Sequence, residues 1–303
     1  MKRRALKGET SSGWFLRTLL PAALILFAVI ALVLGFLMHG ISYPGPVTES
    51  VNPSHYLLPS LELQIPSSHG ESIPGWWIPG LKHAPGIILA PGYGMSRSDA
   101  LSLAVALHQH GFNLLVVDQR GSGGAPRGAS TLGLREADDM ADTVRFMIGR
   151  PENNPERLGI WGVDTSAFAA LKSAAAFPEV RAVAADSAYE TIDRFLGYRI
   201  AEDFGVDNRV LSFACWQLFR LLHIADFRVL DRPLPVEELA GKSILFIRGE
   251  GRGALAASTE ALCAAAPQGE LMTHPTARVH ALSGEGLKSY DRQVAGFFHL
   301  NLQ

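Results

Sequence analysis

The chain has 303 residues, 48% of them hydrophobic and 18% charged, which is enough to build one large domain with a substantial core. Its 27 Lys and Arg against 29 Asp and Glu leave no basic excess to neutralise a phosphate backbone, which argues against nucleic-acid binding. Two cysteines, Cys215 and Cys263, are too few for a disulfide framework or a four-cysteine zinc site and read as lone buried thiols.

Charge is concentrated at the N-terminus. The first 17 residues hold Lys2, Arg3, Arg4, Lys7 and Arg17 against a single acid, Glu9. From Leu19 to Met38 no charge occurs, and these 20 residues would span ~30 Å as a helix, the thickness of a hydrocarbon core. A cleavable signal would have a shorter apolar run and a small-x-small cleavage site. This run ends instead in Phe36-Leu-Met-His-Gly40, and an uncleaved anchor is expected. The basic flank predicts residues 1–18 as a cytoplasmic tail, 19–38 as the anchor, and the rest on the outer face. Residues 39–60, with Pro44, Pro46 and Pro53, read as a linker.

From Leu61 onward strand and helix patterns alternate. Leu61–Ile65 alternates apolar and polar, with Gly75–Pro79 as its hairpin partner across a turn at His69-Gly70. Gly86–Ala90 and Phe112–Asp118 are apolar runs of buried parallel strands. Ser98–His110 reads as a helix stopped by Gly111. Arg135–Ile148 has apolar residues at helical spacing. Arg157–Val163 is a strand, Thr165–Phe177 a helix stopped by Pro178, and Val180–Ala185 another strand. Ser243–Arg248 is the last clear one. Such alternation predicts a mostly parallel sheet with helices on both faces. Between Asp186 and Leu239 it stops, leaving two helical patches, Tyr189–Phe204 and Val210–Phe227. An insertion of ~50 residues is long for a loop and reads as a cap, residues 188–239, over the sheet's C-terminal edge, the alternative being a pair of packing helices with no role in access.

Several short motifs recur at these strand ends. Leu89-Ala-Pro-Gly-Tyr-Gly94 follows a central strand. Val117-Asp-Gln-Arg-Gly-Ser-Gly123, Thr131-Leu-Gly-Leu-Arg-Glu-Ala-Asp-Asp139 and Ala184-Ala-Asp-Ser187 complete the set. In these the chain from Leu61 to the C-terminus resembles the α/β-hydrolases, of the membrane-anchored serine-hydrolase type. The resemblance implies an α/β-hydrolase fold over residues 61–303, and it implies no cofactor.

The family's nucleophile sits at a strand-to-helix elbow of the form small-x-nucleophile-x-small. Here that segment is Gly162-Val-Asp-Thr-Ser166, and Asp164 stands where a serine is usual. A carboxylate is ionised at neutral pH and attacks an alkyl carbon directly, as in the family's haloalkane dehalogenases and epoxide hydrolases. Gly94-Met-Ser-Arg-Ser98 is a near match to a serine elbow but lies in the preceding turn. The usual acid turn reads Gly249-Glu-Gly-Arg252 and lacks Asp, so Asp186 is the acid candidate, with a structural role as its alternative. Two histidines, His274 and His280, are candidates for the family's base, and alignment through Pro275 and Tyr290 puts that position at Val279 or His280, with a surface-loop histidine as the alternative reading of His280. The resemblance implies an oxyanion hole from the backbone N–H groups of Tyr93 and Thr165. No His or Cys cluster has metal spacing, and no glycine-rich phosphate loop is complete. Two readings follow: a membrane-tethered hydrolase with an Asp nucleophile acting on a small molecule, or an inactive relative that binds a ligand or a protein partner.

Overall fold

The structure, a computed structural model, describes residues 11–45, 47, 49, 51–121, 128–251, 253–276 and 279–303, without the side chains of 11–18, 227, 228 and 280. A 32-residue helix, α1 (Ser11–Ser42), opens it. Its segment Leu19–Ser42 has the length and composition of a membrane anchor or a signal sequence. Residues Leu19 to Val33 are exposed, while Leu37, Met38 and Ile41 are buried against the domain.

Eight strands form one sheet in the order β1-β2-β4-β3-β5-β6-β7-β8. These are β1 (Leu61–Ile65), β2 (Ile73–Ile78), β3 (Ala84–Ala90), β4 (Asn113–Val117), β5 (Asn153–Val163), β6 (Val180–Asp186), β7 (Ser243–Gly249) and β8 (Gly269–His274). The β1–β2 and β2–β4 pairs are antiparallel, and every other pair is parallel. Helices α2 (Leu101–Gln109) and α9 (Gly284–Leu302) cover one face. The other carries α3 (Leu134–Ile148), α4 (Thr165–Ala176) and α8 (Gly253–Ala265). The central strands are buried on both faces, which is why they read as unbroken apolar runs.

The insertion after β6 folds as α5 (Ile192–Phe204), α6 (Arg209–Leu222) and the short α7 (Phe227–Leu230). Asn208 caps α6, its side chain accepting from the N–H groups of Val210 and Leu211. Some boundaries differ from expectation for local reasons. Asp99 accepts from the Ser96 N–H, so the segment before α2 begins as a 3₁₀ turn, Arg97–Ala100. Strand β8 lies at the sheet edge and escaped the sequence pattern, because Leu271 faces out and only Met272 and His274 are buried.

Described residues of the segment read as a linker contact the domain. Ser130 N–H donates to the Ser42 carbonyl at 2.8 Å. Arg97 makes ion pairs with Glu49 at 2.8 Å, Glu62 at 3.3 Å and Asp118 at 3.0 Å, and its guanidinium stacks over Trp76. Burial pushes the Asp118 carboxyl up to about 7, against the pull of Arg97.

Candidate active site

At the end of β5 the chain turns sharply into α4, and the turning residue is Asp164, with φ 49° and ψ −111°. A non-glycine residue in that region is strained by about 1–3 kcal/mol and persists only where its surroundings enforce it. The enforcement is visible here. The Asp164 N–H donates to the Asp186 carbonyl at 2.9 Å, and the Phe168 N–H donates to the Asp164 carbonyl at 3.0 Å. A Cβ on Gly162 would lie 2.5 Å from the Ser166 carbonyl oxygen, so only glycine lets β5 and α4 approach this closely.

The turn after β3 packs directly on this elbow. A Cβ on Gly92 would meet the Val163 carbonyl oxygen at 2.4 Å, and the Ser166 hydroxyl donates to the Pro91 carbonyl at 2.7 Å. Ser166 is thus spent on packing. Ser96, the serine of the near-match motif, hydrogen-bonds Asp99. Tyr93 follows Gly92, and Thr165 opens α4, where backbone N–H groups have no intrahelical acceptor. The Tyr93 ring is held by the Arg199 guanidinium, 4.2 Å from its centroid, and by its hydroxyl, which donates to the Ile41 carbonyl.

Asp186 ends β6 and is fully buried. Its Oδ2 accepts from the Tyr290 hydroxyl at 2.9 Å and its Oδ1 from the Ser187 hydroxyl at 2.7 Å. Tyr290 in turn accepts from Trp161 Nε1–H at 2.9 Å. His274, at the end of β8, places Nε2 3.6 Å from Asp186 Oδ2, with Nδ1 3.2 Å from the Thr276 hydroxyl. Its ring meets Tyr290 edge-on. The structure therefore joins Asp186, His274 and Tyr290 in one buried cluster against α9. Reading the sequence missed this grouping, since it depends on the unrecognised β8. The backbone of His280 lies in a 3₁₀ turn, Val279–Ala281, and its side chain lies outside the described residues. Glu250, in the usual acid turn, is exposed.

The remaining motifs hold the scaffold. Glu136 is fully buried and accepts from the Ser130 and Thr131 hydroxyls and the Thr131 and Gly133 N–H groups, which fixes the start of α3. Arg120 pairs with Asp139 at 3.2 Å. Helix α5 borders a cleft of about 780 Å³ lined by Tyr189, Tyr198, Leu255 and Ser258 among others. Burial raises the Tyr189 hydroxyl well above its ordinary pKa, and the carboxylates of Glu136 and Asp164 add to the rise. Among the described residues no group of three His, Cys, Asp or Glu side chains converges as a metal site. Cys215 and Cys263 are free thiols, both raised in pKa by burial.

This sheet order, with a strained elbow after the fifth strand and a helical cap, is the α/β-hydrolase fold. Solved structures agree. An esterase from Pyrococcus furiosus superposes with a TM-score of 0.66 at 20% identity, over 87% of this chain and 99% of its own. A carboxylesterase cloned from a metagenomic library gives 0.59 at 13% identity, over 85% and 100%. Dienelactone hydrolase from Anabaena variabilis gives 0.57 at 17%, over 81% and 99%. No family model matches the chain. Among curated sequences, a thiohydrolase of Eupenicillium brefeldianum is 28% identical over 127 residues, 41% of each chain. A second thiohydrolase, from Arthrinium phaeospermum, is 31% identical over 105 residues, 33% of this chain and 34% of its own. The matched part thus spans well under half the length of these relatives.

Proposed function

We propose that the protein is a membrane-anchored hydrolase of the α/β-hydrolase fold, with Asp164 as a carboxylate nucleophile, His280 as base and the N–H groups of Tyr93 and Thr165 as oxyanion donors. The observation that carries this reading is the strained elbow. Asp164 occupies the costly turn, with Gly92 and Gly162 packed closely around it, at the position where the resembled family has serine. In the first step a carboxylate oxygen bonds to an alkyl carbon while the bond to a halide or epoxide oxygen breaks, and the leaving group takes the electron pair. His280 then removes a proton from water, which attacks the carbonyl carbon of the resulting ester. The two backbone N–H groups stabilise the oxyanion, and its collapse frees the alcohol and restores Asp164. An acyl substrate would give a mixed anhydride at the same carboxylate, a less favourable route. In this reading the N-terminus is cytoplasmic and the domain lies on the outer face.

One observation favours the second reading, a ligand- or partner-binding protein without turnover. The Asp186 carboxylate is already engaged by Tyr290 and Ser187, and Glu250 alone supplies an acid to the usual turn. Intact-mass analysis of the full chain with epoxides and alkyl halides separates the two. Turnover by the native chain, an alkyl adduct that accumulates in His280→Ala, and neither in Asp164→Ala support the enzyme. Absence of adduct and turnover, with ligand binding retained in Asp164→Ala, supports the binder. Labelling of the native chain by a fluorophosphonate overturns both, since it requires an activated serine.

A further inference from the structure

Helix α6 is apolar on two opposite sides. Cys215 and Phe219 face the domain and are fully buried. Directly opposite, Val210, Phe213, Leu221 and, in the next turn, Ile224 are 76, 64, 64 and 67% exposed. Val210, Phe213 and Leu221 lie at helical spacing on one side of α6, with Gln217 between them, and Ile224 follows in the 3₁₀ turn Ile224–Asp226 beyond the helix end. The polar residues of α6 are Arg209, Ser212, Gln217 and Arg220, and exposed apolar side chains set among basic and polar ones suit the boundary between lipid and headgroups.

Helix α1 indicates what meets the other side. Its exposed, charge-free length ends where Leu37, Met38 and Ile41 are buried. That turn packs with the cap: Gly40 lies against Phe204 of α5, and Leu211 of α6 joins the same apolar cluster. Twenty residues from Leu19 to Met38 cover ~30 Å. The turn that touches the cap is therefore at the lipid headgroup boundary, and a helix packed on it lies at the same depth.

We propose that the outer stripe of α6 rests in the headgroup and acyl boundary of the leaflet from which α1 emerges. The cap is then a second, non-spanning membrane contact. This rests on the anchor reading of α1. A cap seated there draws apolar substrate from the leaflet instead of from water.

The test uses the full chain in nanodiscs of phosphatidylcholine and phosphatidylglycerol, in a Cys263→Ser background that leaves the buried Cys215. Nitroxide labels are placed singly at Leu26→Cys in the span, Phe213→Cys on the stripe and Leu300→Cys, exposed on α9. Power saturation compares access to oxygen, which partitions into lipid, with access to a water-soluble nickel chelate. Labels at 26 and 213 should favour oxygen, with 213 at shallower depth, and the label at 300 should favour nickel. Oxygen preference at 26 with nickel preference at 213 overturns the α6 contact and leaves the anchor standing. Nickel preference at 26 overturns both.

Discussion

The hydroxyl of Tyr93 donates to the carbonyl oxygen of Ile41 at 2.7 Å. One residue belongs to the turn that touches the elbow, and the other to the last turn of the N-terminal helix. Helix ends leave carbonyls without intrahelical donors, and this bond satisfies one of them in a buried position. Tyr93→Phe should lower stability by about 1–3 kcal/mol, since a buried acceptor loses its donor. Denaturant unfolding of the full chain in detergent measures this.

Strain at the elbow gives a prediction with a definite order. Glycine adopts positive φ without penalty, whereas alanine does not. Asp164→Gly should therefore be more stable than Asp164→Ala by roughly 1 kcal/mol. Equal midpoints with equal slopes in urea would show that the elbow carries no such strain.

The buried polar cluster should be sensitive at its centre. Tyr290→Phe takes the acceptor from Trp161 and a donor from Asp186 at once, and should cost about 2–4 kcal/mol. Ser187→Ala removes one donor and should cost about 1 kcal/mol. Chemical denaturation followed by tryptophan fluorescence compares the two variants.

Asp118 predicts a pH dependence. Its carboxyl is raised from 3.8 to about 7 in the folded protein by burial, with Arg97 and Glu49 beside it. Between those values the folded state holds a proton that the unfolded state has lost, so this group's contribution to stability falls as pH rises through the window. From pH 5 to pH 8 the native chain should lose stability relative to Asp118→Asn, by an amount on the order of a few kcal/mol. A parallel pH profile for the two proteins would remove Asp118 from the explanation.

How much of this was legible depends on how local each feature is. Ile87–Leu89, Leu114–Val117 and Val183–Ala185 are covered on both faces, so their composition alone marks them as strands. The elbow was legible too, because tight packing demands small residues two positions either side of Asp164. Strand β8 was hidden by its position at the sheet edge, where Glu270, Leu271 and Thr273 are exposed. Without β8 there was no way to see that His274 ends a strand and reaches Asp186. Residues 39–60 read as a spacer from their prolines, yet Ile41 and Ser42, in the last turn of α1, and Glu49 contact residues 48 to 88 positions later. Spacing within a segment carries no information about such partners.

The bond between Trp161 and Tyr290 joins residues 129 positions apart. A ribosome adding about 5–20 residues per second delivers the second partner roughly 6–26 s after the first. Throughout that interval the face of β5 that α9 later covers has no partner, so the emerging domain presents a sticky apolar surface. Hydrophobic collapse takes about 10–100 μs in chains of ~100 residues, far less than this interval, and cannot wait for α9. Aggregation during synthesis is therefore the failure to which this topology is most exposed.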